Sequence, residues 1–443
     1  MANIKPRVKK DGTVSYLITV SLGRDADGKK LFKTTTFVPK SKAATKAQKE
    51  AEMYAADYER LVLRGEEVVD EDITFRGFAT KIWEKNWLPA KTPSVQDGYK
   101  SVLKKRVYPF IGDRKLLTIR ATDIDKILKD ETASGKSART VRTTAAVINS
   151  VLKYAYKKKY IYENPFLRCD DLPSVESRSG KELHYFTKEQ AMVFLHRALK
   201  QDYTFTIKGH ERMLKQTGQK YQVSDYDEHH RVSLQWQIYF MISVYGGLRK
   251  SELCALTWKD INEKDKTISI NKAMSATKEK GQFIKDTKTK AGNREIVLPA
   301  ECFVLLKQWK QEQKIQCIKL GSEWKGSKEG KKDDAEDSFD NNYVFIQDNG
   351  LPIHLATPSH KFGEIVDWYN RSCEKEEDKL PKIRLHDLRH TSATLLLSRN
   401  TDIETVARRL GHSKPSVTLD IYGHALPEND RKASDLMEEM FAQ

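Results

Sequence analysis

Disulfide and zinc chemistry have little to work with in this sequence. Its 443 residues include five cysteines, Cys169, Cys254, Cys302, Cys317 and Cys373, and no two form a CxxC pair. An odd, scattered set argues against a disulfide framework or a structural zinc site and fits a reducing cytosol. Long apolar runs are also missing, and none approaches the ~20 residues needed to span a bilayer. The opening MANIKPRVKK has no apolar segment of the kind a secretory signal carries. No internal repeat is visible. A soluble, cytoplasmic protein without membrane contact is therefore expected. Acid is in deficit, with 62 Asp and Glu against 78 Lys and Arg, a formal net charge of +16. That balance favours a polyanionic partner, nucleic acid before an acidic membrane.

What is present reads as a globular, multidomain α+β chain. Hydrophobic residues make up 39% and charged residues 32%, and the length exceeds what one ordinary core organises. The first part, 1–66, reads as a small three-stranded sheet plus a helix. Residues 16–22 (YLITVSL) and 30–38 (KLFKTTTFV) have strand character, and 25–28 supply a turn. A helix follows over 41–65, with Ala47, Ala51, Tyr54, Ala55, Tyr58, Leu61 and Val62 as its apolar stripe. Residues 1–49 carry 12 Lys or Arg against three Asp or Glu. The second part, 72–170, is helical. Val141, Ala145, Ile148, Leu152 and Ala155 recur at helical spacing, and Asn164-Pro165 is expected to stop that helix. Residues 98–160 hold 16 Lys or Arg and five Asp or Glu, enough for a phosphate backbone. A linker-like stretch, 171–182, leads into the third part, 180–443. This reads as mostly helical with a small sheet. Two hydrophilic stretches interrupt it, 208–231 and 320–342, and the second is expected to be a surface loop.

Four segments of the third part carry candidate chemistry. In YGGLRKSELCALTWKDI (245–261) a Gly-Gly turn precedes Arg249, and Glu252 lies one helical step on, placed to hold the guanidinium. In 286–299 a hairpin between TISI (267–270) and REIVLP (294–299) is expected to present Lys288 and Lys290. In LHDLRHTSATLLL (385–397) His386 and Arg389 share a helical face. His390 is four residues from His386, but a two-histidine metal site would lack the HExxH glutamate and a third ligand. In LGHSKPSVTLDIYGH (410–424) His412 follows a helix-ending glycine, and Tyr422 lies ten residues on.

Taken together, HDLRHT, LGHS and LDIYGH, preceded by the Arg249 and lysine segments, resemble the tyrosine recombinase family of phage and mobile-element integrases. The family order Arg, Lys, His-x-x-Arg, His, Tyr is met by Arg249, Lys288, His386, Arg389, His412 and Tyr422. Lys288 is preferred over Lys290 because Lys-Thr at this place in the hairpin is more like the family. The resemblance implies an arm-site DNA-binding domain over 1–66, a core-binding domain over 72–170 and a catalytic domain over 180–443. It implies double-stranded DNA with core and arm sites as the partner, a homotetramer on DNA, DNA-bending accessory proteins and no cofactor or metal.

The chemistry implied is strand cleavage and religation through a 3′-phosphotyrosine. Guanidinium forks match a phosphate anion and its transition state, which suits Arg249 and Arg389. His386 is expected as a third contact and as acceptor of the tyrosine proton. His412 is expected on a non-bridging oxygen, Lys288 as general acid for the leaving 5′-oxygen, and Tyr422 as nucleophile. Two rival readings are a resolvase or invertase of the same chemistry, and a catalytically silent DNA-binding regulator. A C-terminal stripe of Ala433, Leu436, Met437, Met440 and Phe441 suits packing on its own domain or on a neighbouring protomer.

Overall fold

The computed structural model describes residues 2–8, 14–24, 28, 30–41, 43–63, 72–175, 183–213, 218–286, 292–327, 339–422 and 429–442. The chain divides into two compact units, Met1–Val175 and Glu176–Gln443.

The first unit opens with an antiparallel sheet of β1 (Asn3–Val8), β2 (Val14–Arg24) and β3 (Lys30–Phe37), with β2 in the centre. Alternate residues of β2, Tyr16, Ile18 and Val20, turn inward, as a period of two requires. They meet the stripe of α1 (Ala44–Leu63), where Ala47, Ala51, Ala55, Tyr58 and Val62 are buried. The strand over 3–8 adds the third member of the expected sheet; most of its residues face solvent, so it leaves no apolar alternation to read. Of the expected turn over 25–28, only Gly28 lies among the described residues.

Residues 72–175 form a helical bundle around Phe75, Phe78, Trp83, Leu103, Ile124 and the stripe Val141, Ala145, Ile148, Leu152 and Ala155. The stripe lies on α2 (Ala138–Lys157), capped by Ser137, whose hydroxyl accepts from Thr140 N. This helix ends earlier than Asn164-Pro165 suggested. Lys159 takes a left-handed conformation (φ 61°), which breaks the backbone ladder, and Pro165 instead opens a short 3₁₀ turn. Lys153 and Lys157 are solvent-exposed on the far face, whereas Arg142 is engaged, donating to the Pro173 carbonyl at 2.9 Å.

The second unit is built around α3 (Leu234–Gly246), which is apolar on all sides and buried along most of its length. A helix of that kind belongs in a core. Around it pack Phe303 and Leu306, Phe362 and Ile365, and Leu388. The described residues of the hydrophilic stretch 208–231 contribute to two antiparallel ladders. β4 (Asp202–Ile207) pairs with β7 (Tyr226–Arg231), and β5 (His210–Met213) with β6 (Lys220–Val223). Stacking of His230 on Trp368 and of the Arg371 guanidinium on Phe205 ties the base to the core.

Two expectations need correction here. TISI and REIVLP do pair, as β9 (Thr267–Ile270) with β12 (Arg294–Val297), and β8 (Ile261–Asn262) lies on the other side of β9. They do not, however, flank a simple loop. A second hairpin of β10 (Lys272–Thr277) and β11 (Gly281–Asp286) is interposed, and Lys288 and Lys290 lie beyond it, outside the described residues. The stretch 320–342 is not surface loop at its ends. Trp324 and Phe339 are core residues, and Asn342 is buried and accepts from Ser327 N at 2.7 Å; residues 328–338 lie outside the described set.

Candidate active site

Two glycine-ended helices build the floor of the site. α3 stops at Gly247 (φ 61°) and α6 (Ile403–Leu410) at Gly411 (φ 69°), both left-handed. Glycine takes this conformation without the steric cost of a Cβ. At Gly247 a Cβ would also meet Leu410 Cδ2 at 2.7 Å and Ser392 Oγ at 3.1 Å. The carbonyls at these helix ends have no partner within their helix, and two guanidiniums take them.

Arg389 belongs to α5 (Asp387–Leu397), and Arg249 caps α4 (Lys250–Leu253). Arg389 Nη1 donates to the Gly247 carbonyl at 2.8 Å and Nη2 to the Leu410 carbonyl at 2.7 Å. Arg249 Nη2 donates to the Gly411 carbonyl at 3.2 Å, and its Nη1 to Glu252 Oε1 at 2.8 Å. Arg249 is part-exposed and Arg389 buried. Burial, with Arg249 nearby, pushes Arg389 down to about 9. It remains cationic at neutral pH, and an arriving anion would relieve the penalty.

Glu252 is the carboxylate that joins these cations. It accepts from Arg249 and, through both oxygens, from Arg294 on β12 at 3.2 and 2.8 Å. Burial acts to raise its pKa, but the hydrogen bonds and charges of Arg294 and Arg249 prevail and hold it at about 2. Arg294 Nε donates to the Arg409 carbonyl, and Arg409 reaches the carbonyls of Tyr245 and Val297. Two guanidiniums thus share one carboxylate, while Arg389 and Arg409 rest on backbone carbonyls, so fixed positive charge is in surplus.

The histidines stand at two helix boundaries. His386 immediately precedes α5, and His412 follows α6 (Ile403–Leu410). His412 Nδ1 lies 2.8 Å from Thr418 Oγ1. Burial, then Arg389 and Arg249, lowers it to about 4, and burial with Arg389 lowers His386 too. Tyr422 ends α7 (Pro415–Tyr422), its ring buried among Ala393, Leu397, Val406 and Leu410. Burial raises its hydroxyl to about 12, opposed by the Arg389 charge.

The structure therefore brings Arg249, Glu252, His386, Arg389, His412 and Tyr422 together. Lys288 is not among the described residues. Three further members were not read from the sequence as functional. Arg294 and Arg409 buttress Glu252 and the helix ends. His390, weighed only as a metal ligand, has its Nδ1 2.7 Å from the Tyr422 hydroxyl. Its adjacency to Arg389 was the available signal. Among the described residues no group of three or more His, Cys, Asp or Glu is placed to hold a metal, and no helix is long and apolar enough to cross a membrane.

The phage integrase family matches residues 217–429, and the phage integrase central domain matches 75–171. A XerC-like tyrosine recombinase from Caldanaerobacter subterraneus subsp. tengcongensis is 24% identical, over 99% of each chain. The ICEBs1 integrase of Bacillus subtilis is 25% identical, over 79% of this chain and 78% of its own. The Tn1549 transposon integrase, solved with transposon right-end DNA, shares the fold with a TM-score of 0.57 at 21% identity, covering 84% of this chain and 100% of that one. The chain belongs to the phage integrase family and is a tyrosine-type site-specific recombinase.

Proposed function

We propose that the chain cuts and rejoins DNA through a covalent 3′-phosphotyrosine on Tyr422, and so integrates and excises a phage or mobile element. The observation that carries this is the pair of guanidiniums fixed on helix-end carbonyls beside Tyr422. Arg249 and Arg389 bind the scissile phosphate, and Glu252 and Arg294 keep Arg249 aimed. Donors preorganised in this way are worth ~3–4 kcal/mol each in the transition state. His386 makes a third phosphate contact. His412, fixed through Nδ1 by Thr418, offers Nε2 to a non-bridging oxygen. Lys288 protonates the leaving 5′-oxygen. The covalent link conserves the backbone bond energy, so religation needs no nucleotide cofactor.

The basic sheet and helix of 1–66 read arm sites, the helical bundle of 72–170 grips the core site, and 180–443 performs catalysis. Double-stranded DNA is the partner, in a homotetramer assembled on two duplexes, with DNA-bending proteins assisting and the cytoplasm as the place of action. Met437, Met440 and Phe441 on α8 (Asn429–Phe441) are largely solvent-exposed, which suits docking on a neighbouring protomer. The test is incubation with a nicked suicide duplex of the element's core site. Wild type should accumulate a covalent adduct, and Tyr422→Phe should bind the duplex without forming one. An adduct from the Phe variant would reject Tyr422 as the nucleophile.

A further inference from the structure

Tyr422 has a polar partner outside the phosphate-binding set. Its hydroxyl lies 2.7 Å from His390 Nδ1, and the two rings stand 5.5 Å apart at 58°. His386 meets His390 edge-on at 5.3 Å between ring centres. The phenolic oxygen is therefore in direct contact with the histidine that follows Arg389. α5 places the two side chains next to each other: Arg389 turns to the helix-end carbonyls and His390 to α7.

We propose that His390 is a catalytic residue that orients the Tyr422 hydroxyl and accepts its proton during attack on the phosphate. Nδ1 is then the bare nitrogen and Nε2 carries the hydrogen. As the phenolic oxygen bonds to phosphorus, its O–H bond breaks and the proton moves to the Nδ1 lone pair, giving an imidazolium. The bond from phosphorus to the 5′-oxygen breaks, and that oxygen takes a proton from the general acid assigned to Lys288. On religation a 5′-hydroxyl attacks, its proton returns to that lysine, and the imidazolium restores the phenol. No other reactant is needed.

The surroundings fit a base that is neutral before attack. His390 is faced by Arg384, His386, Asp387 and Arg389 from its own segment, by His412 from the end of α6 and by Tyr422 from α7. Burial and the neighbouring His386 hold its pKa down to about 4, and a phosphate anion docked on the arginines raises the affinity of nearby imidazoles for protons. The alkaline shift of Tyr422 makes a local acceptor valuable, since water alone would remove the proton poorly.

The inference rests on Tyr422 being the nucleophile, and the test separates the two. Covalent trapping on a suicide duplex is followed for wild type, Tyr422→Phe, His390→Ala and His390→Asn, with DNA affinity measured alongside. Asn keeps a polar partner at the Nδ1 position but accepts no proton. Both His390 variants should bind DNA normally and trap ~100-fold more slowly at neutral pH, the size of a lost general base. Their rates should climb with pH more steeply than wild type and recover when Tyr422 is replaced by a difluorotyrosine with a more acidic phenol. A His390 variant that traps at the wild-type rate would overturn the proposal, as would a loss that neither alkali nor the fluorinated phenol relieves. An adduct from Tyr422→Phe would instead overturn the nucleophile assignment itself.

Discussion

Replacing Glu252 by glutamine tests the electrostatic frame of the site. The carboxylate is held at about 2 against an ordinary 4.5 because it accepts from Arg249 and, through both oxygens, from the buried Arg294. That gap corresponds to about 3 kcal/mol of stability. The folded-state pKa is the depressed one, so this stability is fully present above the usual glutamate range. It is lost as pH falls through 4.5 towards 2. Glutamine keeps most of the shape and has no such pH dependence, and it leaves the buried Arg294 charge without its counterion. Urea unfolding of the full chain should show the variant less stable by about 3 kcal/mol at neutral pH, with the gap unchanged above the usual glutamate range and narrowing as pH falls through 4.5 towards 2. Suicide-duplex trapping should fall as well, because Arg249 loses its anchor. A gap that stays constant as pH falls below 4.5 would show that the Glu252 carboxylate does not carry this charge network.

Other perturbations follow from the same geometry. Gly247→Ala should cost about 1–3 kcal/mol and slow trapping, because a left-handed residue gains a Cβ that meets Leu410 and displaces the carbonyl bound by Arg389; equal melting temperatures would refute it. Lys288→Ala should slow cleavage of an ordinary duplex far more than Lys290→Ala. A duplex with a 5′-bridging sulfur, whose leaving group needs no proton, should rescue the first variant, and equal losses would leave neither lysine singled out. Deleting residues 1–66 should spare cleavage of an isolated core site yet impair integration, and wild-type integration by the shortened chain would remove the arm-site role.

The motif positions were legible because their chemistry is local. Glu252 lies one helical step from Arg249, Gly411 sits beside His412, and HDLRHT is contiguous. What escaped reading depends on distant contacts. Arg294 meets Glu252 across 42 residues and the Arg409 carbonyl across 115; a lone arginine opening a strand carries no sign of either. His390 meets Tyr422 across 32 residues, and its spacing from His386 raises only a metal reading that lacks a third ligand. In the ladders over 202–231, β4 carries a legible apolar alternation, Tyr203, Phe205 and Ile207, whereas β6 and β7 are mostly polar and mark no apolar period. The β10–β11 hairpin is hard to read because its strands, KAMSAT and GQFIKD, do not alternate apolar and polar residues. The α3 core helix left a clearer trace, a dense apolar run ending at Gly246-Gly247.

The central claim is that Tyr422 attacks a phosphate held by Arg249 and Arg389. The most direct measurement is to trap the protein on a suicide duplex, digest both components, and identify the joined peptide and nucleotide by mass spectrometry. The account predicts a single linkage, from the Tyr422 oxygen to a 3′-phosphate, with a free 5′-hydroxyl on the other side of the cut. A nucleotide on any other residue, or a link to a 5′-phosphate, would contradict it.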